Sequence, residues 1–329
     1  MKKLFPLALA AALTFSMGTT VFATDYNSHK NHNPVVPKTY VINNGEAPAE
    51  TFTFSFTGKS YVDVNGKTVE KPTIPKIADV TISVPKTAKS TLEKKVAANI
   101  TASNYNLGKY TYEVTEKAGT TAGVTYSSEK LYLVLTILRD ENNGKNFVAA
   151  MHYQNVNGDK CTGFTNKYDS GSLSVTKKIT GDAPDMAETF DFEITFTAPT
   201  GKEVDSDIKV KKPDGTTETI GFEDDEDSLT YEITLGHDKT VTFSNLPAGV
   251  TYEVEETDSK GYTSSTAYGD SSKTISANDA DTVTVTNKRN ATNVDLGVMT
   301  DNLPYVLMLA GAGAGMLVPF GKKYRKYRK

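Results

Sequence analysis

The chain has 329 residues, a formal net charge of −4, no tryptophan and a single cysteine, Cys161. One cysteine excludes an intramolecular disulfide. The slightly acidic balance, without a basic patch interleaved with aromatic residues outside the C-terminal tail, argues against a nucleic-acid partner.

The N-terminal end predicts an exported protein. Residues 1–23 have two lysines directly after Met1, continue through a mostly apolar segment from Leu4 to Val21 and end at the small residue Ala23. This is the pattern of a secretory signal peptide, with cleavage expected after Ala23. The polar residues 24–34 are expected to form a flexible segment that precedes the first domain.

Alternating apolar and polar residues predict half-buried strands throughout a first domain at residues 35–169. Residues 131–138 and 147–153 predict a hairpin, because a short turn containing Asn-Gly at 142–144 separates them. Residues 91–95 are the one place in this domain where a short exposed helix is expected.

A second series of alternating strands predicts another domain at residues 170–290, with LSVTKKI at 173–179 as its clearest first strand. The segment AETFTF at 49–54 reappears as AETFDF at 187–192, so the second half repeats the first. A repeat of this length indicates two tandem domains of one kind. Short strands, frequent turns and almost no helix predict an all-β fold of two β-sandwiches.

The C-terminal residues 291–329 predict a membrane anchor. The uncharged apolar run at 303–320 is just long enough, because roughly 17–25 such residues span a bilayer. The basic tail at 322–329 is expected to remain in the cytoplasm. The two domains are therefore expected outside the membrane, tethered at least transiently.

Each half carries a lysine, a glutamate and an asparagine in the same order. The separation from lysine to glutamate is 78 residues in the first half and 79 in the second. Strand alternation places the second lysine on the same face as three apolar residues of LSVTKKI, which predicts that it faces the core. The residues are Lys38, Glu116 and Asn166 in the first half and Lys177, Glu256 and Asn287 in the second.

These three residue types can form an amide bond between side chains. A buried lysine loses hydration, so its pKa falls toward that of a neutral, nucleophilic amine. The asparagine carboxamide carbon is the electrophile, and a buried, protonated glutamate is expected to hydrogen-bond the carbonyl oxygen and relay protons to the departing ammonia. Solvated surface groups are the alternative reading, but two triads in register favour crosslinks. The predicted bonds are Lys38–Asn166, promoted by Glu116, and Lys177–Asn287, promoted by Glu256.

The chain resembles the backbone (major) pilins of Gram-positive bacteria, of the streptococcal two-domain T-antigen type. Besides the two strand lysines, the matching motifs are Tyr-x-Val-x-Glu at 112–116 and 252–256 and Thr-Asn-Lys at 165–167 and 286–288. The resemblance implies two collagen-adhesin B-type, inverse immunoglobulin-like sandwiches with autocatalytic isopeptide bonds.

The resemblance also implies a covalent link between subunits. In the family, a pilin-specific sortase cleaves a five-residue sorting signal, and a lysine of the next subunit attacks the resulting thioester. NVDLG at 293–297 aligns with that signal, so cleavage is expected between Leu296 and Gly297. Lys160, shortly before the last strand of the first domain, is the expected acceptor.

Alternatives stay open for the acceptor and for the function. Lys160 could be an ordinary exposed turn lysine, and Lys145 and Lys167 are weaker acceptors. The favoured function is a structural subunit of a surface pilus, with identical subunits, a pilus-class sortase, minor pilins and cell-wall peptidoglycan as partners. The alternative is a wall-anchored adhesin that uses the same domains to bind host or matrix. An enzyme with turnover, a cofactor or a metal site is not expected, because the triads react once and the four histidines lie in no catalytic or metal-binding motif.

Overall fold

The computed structural model describes residues 33–291, which fold as two consecutive β-sandwiches. The predicted signal peptide, the predicted cleavage site at Leu296 and Gly297 and the apolar run at 303–320 lie outside the described residues. Within residues 33–291, no helix has both the length and the apolar character needed to cross a membrane. The prediction of an all-β chain with two tandem sandwiches is confirmed.

The first sandwich packs a four-stranded sheet against a five-stranded sheet. The strands are β1 (Val35–Ile42), β2 (Glu50–Asp63), β3 (Val80–Val84), β4 (Leu92–Ala97), β5 (Gly108–Lys117), β6 (Val124–Thr125), β7 (Lys130–Arg139), β8 (Asn146–Gln154) and β9 (Phe164–Tyr168). Their order is β4-β1-β9-β6 in one sheet and β3-β2-β5-β7-β8 in the other. A single 3₁₀ turn lies at Ala102–Asn104 in this domain.

The second sandwich packs a six-stranded sheet against a three-stranded sheet. The strands are β10 (Ser170–Thr180), β11 (Thr189–Thr197), β12 (Ile208–Lys211), β13 (Thr217–Ile220), β14 (Ser228–Gly236), β15 (Lys239–Pro247), β16 (Thr251–Glu256), β17 (Thr263–Tyr268) and β18 (Ala280–Lys288). Their order is β13-β12-β15-β10-β18-β17 in one sheet and β14-β11-β16 in the other.

In each sandwich the first and last strands lie side by side and parallel. β1 pairs with β9 in a register that places Tyr40 opposite Asn166, and β10 pairs with β18 in a register that places Ile179 opposite Asn287. In both domains the asparagine pairs with a residue of the first strand, and the triad lysine comes two positions before that residue. Because side chains alternate along a strand, lysine and asparagine share the core face.

The two local predictions in the first domain had different outcomes. The predicted hairpin is confirmed, since β7 and β8 pair antiparallel with Leu133 opposite Tyr153. The prediction of a short helix at residues 91–95 is wrong, because Leu92–Ala97 forms β4 and pairs antiparallel with β1. A helix of so few residues is marginal in water, whereas the open edge of β1 supplies hydrogen bonds to an extended segment.

Candidate crosslinking sites

Lys38, Glu116 and Asn166 meet in the core of the first sandwich. Lys38 Nζ lies 2.7 Å from Glu116 Oε2, and Asn166 Nδ2 donates a hydrogen bond to Glu116 Oε1. The lysine and glutamate side chains are 1% and 0% exposed. The rings of Phe52 and Phe54 lie near the ammonium, with centroids 4.3 Å and 5.8 Å from Nζ. The carboxylate therefore contacts both nitrogen atoms that the predicted reaction involves.

Lys177, Glu256 and Asn287 repeat this arrangement in the second sandwich. Lys177 Nζ lies 2.7 Å from Glu256 Oε2, and Asn287 Nδ2 donates to Glu256 Oε1 at 2.6 Å. The lysine side chain is 0% exposed and the glutamate side chain 4% exposed. The centroids of Phe190 and Phe192 lie 4.4 Å and 5.8 Å from Nζ. The predicted grouping of three residues is thus present twice, with nearly the same distances.

The position of each residue follows from the sheet topology. The lysine and the asparagine lie on the adjacent first and last strands of one sheet, whereas the glutamate lies in the opposing sheet, on β5 or β16. The glutamate therefore reaches across the core to the two strands. An amide bond at this point would join neighbouring parallel strands, and its formation would require no change in strand order.

Burial changes the proton affinities of the first triad. It lowers the pKa of Lys38 to about 8, although the hydrogen bond to Glu116 opposes this shift. It raises the pKa of Glu116, against the opposing effect of the hydrogen bonds from Lys38 and Asn166. The two shifts together make proton transfer from the ammonium to the carboxylate easier than in water. Burial also lowers the pKa of Lys177 in the second triad.

The structure corrects one contact that the sequence predicted. The acid was expected to hydrogen-bond the asparagine carbonyl oxygen, but both glutamates contact the amide nitrogen instead. An ionised carboxylate can only accept hydrogen bonds, and Nδ2 is the only donor on the carboxamide. The two carbonyl oxygens have different surroundings. Asn166 Oδ1 accepts a hydrogen bond from the Ser127 backbone N–H at 2.8 Å, whereas Asn287 Oδ1 is buried without a partner among the described residues.

Sequence reasoning missed the phenylalanines and Ser127. The two rings at each site come from the Phe-x-Phe segments of β2 and β11, whose repetition in both halves was a usable signal. Aromatic faces attract a cation and exclude water, so they hold the lysine in the core. The Ser127 contact uses a backbone group, which leaves no mark in the residue pattern.

Lys160 lies apart from both triads, on the surface of the first sandwich. It is exposed and stands opposite Gln154 in an isolated antiparallel bridge at the end of β8. Within residues 33–291 its ammonium has no ion-pair partner, whereas Lys167 pairs with Asp169 at 3.2 Å. The neighbouring Cys161 is half-buried against the hydrophobic core. Lys160 is therefore accessible to a second protein.

Two family models match successive parts of the chain. Residues 35–169 match the model described as "Spy0128-like isopeptide containing domain", and residues 171–289 match the model described as "Domain of unknown function (DUF7601)". A pilin of Streptococcus pyogenes serotype M1 is 27% identical over 96% of this chain and 98% of its own length.

Solved pilin structures have the same fold. The crystal structure of the major pilin from Streptococcus pyogenes matches with a TM-score of 0.57 and 21% identity, over 79% of this chain and 99% of its own. The T3.2 major pilin from serotype GAS13637 of that species matches with a TM-score of 0.54 and 22% identity, over 78% of this chain and 98% of its own. Residues 35–169 are therefore similar to the Spy0128-like isopeptide containing domain, and the chain is similar to a streptococcal pilin over nearly its whole length.

Proposed function

We propose that this chain is the shaft subunit of a covalent surface pilus on the cell exterior, and that a Lys–Asn isopeptide bond closes each of its domains. The observation that carries the proposal is the pair of buried Lys–Glu–Asn triads, one in each sandwich, at the same point between the first and last strands. Chance surface groups would not be buried twice in matching geometry.

The bond forms in a balanced sequence of proton transfers. The Lys38 ammonium gives a proton to Glu116 Oε2, and the neutral amine attacks Cγ of Asn166. Glu116 delivers this proton to Nδ2 and then, as a carboxylate again, takes a second proton from the attacking nitrogen. The Cγ–Nδ2 bond breaks, ammonia leaves, and Glu116 ends protonated. The same roles fall to Lys177, Glu256 and Asn287.

These two bonds would protect the folds of a shaft subunit under load. A pulling force that enters at Lys160 would follow the chain through β9 into β10 and cross from Lys177 to Asn287, while the Lys38–Asn166 bond ties β1 to β9 beside this path. Residues 178–286 would then carry no load along the chain. Such a bond supplies what a disulfide supplies elsewhere, and a reductant cannot cleave it.

Contacts at the junction support a stiff shaft. A single residue, Asp169, separates β9 from β10. The buried Asn245 side chain accepts a hydrogen bond from Glu46 N at 2.8 Å and donates to Glu46 O at 3.0 Å and to Asp207 O at 2.9 Å. Lys86 forms ion pairs with Asp205 at 3.1 Å and Asp207 at 3.0 Å. The contacts of Glu46 and Lys86 connect the two sandwiches along a polar, hydrogen-bonded interface.

We propose further that subunits are joined from the Leu296 carbonyl of one chain to the Lys160 amine of the next by a pilus-class sortase. β10 leads away from the junction and β18 runs parallel to it, so the described chain ends at the far side of the second sandwich. Lys160 lies on the first sandwich, so this bond joins unlike ends of successive subunits. The precursor would be anchored in the membrane until cleavage before Gly297, with minor pilins and peptidoglycan as further partners.

The intact mass of the mature two-domain ectodomain tests the internal bonds. Each bond releases one ammonia, so the expected mass is that of the sequence minus two ammonia molecules. Peptide mapping should then recover residues 38 and 166 in one crosslinked peptide and residues 177 and 287 in another. A mass equal to that of the unmodified sequence would exclude both bonds.

A further inference from the structure

The two crosslinking sites differ at the oxygen atom that must take up charge. Attack of the lysine on the carboxamide carbon moves an electron pair onto Oδ1, which becomes an oxyanion until ammonia leaves. In the first site this oxygen accepts a hydrogen bond from Ser127 N at 2.8 Å. In the second site Asn287 Oδ1 is buried with no hydrogen-bond partner within residues 33–291. Only the first site therefore places a donor where the charge develops.

Strand length accounts for this difference. β6 contains only Val124–Thr125, and it pairs with Tyr168 and Lys167 before it leaves β9. The chain departs just where Asn166 follows in the register, so the Ser127 amide turns to the asparagine side chain. β17 instead remains paired with β18 across Asn287, where Ser264 is its partner. The longer ladder leaves the backbone of β17 in regular strand pairing at that point.

Neighbouring contacts hold the Ser127 amide in place before the reaction. The Tyr126 ring packs edge-on against Phe52, with centroids 6.2 Å apart, and its hydroxyl donates to Glu50. The Ser127 hydroxyl accepts a hydrogen bond from Glu129 N at 3.3 Å. A donor fixed in this way loses little free energy to reorganisation when the oxyanion forms.

We propose that the backbone N–H of Ser127 is an oxyanion donor for Lys38–Asn166 bond formation, and that the second site works without such a donor. This inference rests on the proposed isopeptide chemistry. As the Lys38 nitrogen bonds to Cγ, the carbonyl electron pair moves to Oδ1 and the Ser127 N–H stabilises it. When the pair returns, the Cγ–Nδ2 bond breaks and ammonia leaves with the proton from Glu116. The hydrogen bond persists to the amide product.

The test removes the N–H while the side chain at position 127 stays the same in the two chains that are compared. Cell-free translation of the full two-domain ectodomain can place lactic acid at position 127, which replaces the N–H by an ester oxygen, and the Ser127→Ala chain is its matched amide. Samples quenched over time are digested, and each crosslinked peptide is quantified by mass spectrometry. We expect the Lys38–Asn166 bond to form on the order of 10²–10³-fold more slowly in the ester chain. The Lys177–Asn287 bond should form at an unchanged rate.

Two controls separate the possible failures. An ester at position 128 retains the N–H of residue 127. The Lys38–Asn166 bond should then form at nearly the same rate as in the Ser127→Ala chain. Equal rates of Lys38–Asn166 bond formation in the ester and amide chains at position 127 would overturn the inference. Absence of both isopeptide bonds from every chain would overturn the proposed function. If the ester chain does not fold, the inference is tested on the unsubstituted chain. There the Lys38–Asn166 bond must form faster than the Lys177–Asn287 bond. An equal or slower first bond contradicts the inference.

Discussion

Glu256→Gln is expected to leave the second sandwich without its isopeptide bond and to lower its unfolding temperature sharply. Glutamine has nearly the shape of glutamate but cannot take a proton from the Lys177 ammonium at 2.7 Å. By analogy with a disulfide that closes a loop of similar length, the lost crosslink corresponds to about 5 kcal/mol of unfolding free energy. For a domain of this size, the shift is roughly 20 °C.

Calorimetry and intact mass together check this prediction. The variant should be heavier than the parent ectodomain by about one ammonia, and only the transition of the second sandwich should move. Glu255→Gln is the matched control, because Glu255 is the preceding residue on the same strand but lies on the exposed face. It should retain both bonds and both transitions. A Glu256→Gln chain that still lacks two ammonia molecules would show that this acid does not promote the bond.

The sequence predicts the burial of Lys177 more strongly than the burial of Lys38. LSVTKKI alternates without interruption, and Lys177 is buried in the structure as the pattern predicted. VVPKTYV contains a proline, which weakens a strand prediction, yet Lys38 is 2% exposed. The structure gives the reason: pairing with β9 begins at Lys38, so Pro37 lies where β1 has a neighbour on one side only. A proline at such a point removes no hydrogen bond from the β1–β9 ladder.

The other features depended on tertiary contacts that the residue pattern does not encode. The segment at β4 has no fully buried residue and alternates only between partial and full exposure, so its strand conformation comes from pairing with β1. The orientation of each asparagine carboxamide depends on whether the nearby glutamate accepts or donates a hydrogen bond. The Ser127 donor arises because β6 ends after two residues. The grouping of the triad side chains was therefore predictable from sequence, whereas the backbone donors around them were not.

Lys160→Arg is expected to abolish covalent polymers while leaving the subunit folded. Arginine keeps the positive charge at this exposed position, but its guanidinium stays protonated and cannot attack a thioester. The measurement is the ladder of high-mass species in denaturing gels, from cells that carry the cognate sortase. Lys145→Arg and Lys167→Arg are the matched controls and should retain the ladder. A junction peptide from the parent polymer should contain the Leu296 carbonyl bonded to the Lys160 nitrogen.

The same variants distinguish a shaft from a wall-anchored adhesin. An adhesin of this design would keep its internal bonds but would give a single wall-linked species and no ladder, with or without Lys160. In a shaft subunit, by contrast, the internal isopeptide bonds and the bond between subunits are lost independently. Lys160→Arg should give monomers that still lack two ammonia molecules, and Glu256→Gln should give a full ladder whose subunits extend under force. Ladders that persist in Lys160→Arg would exclude this acceptor without affecting the evidence for the internal bonds, because the two chemistries use different residues.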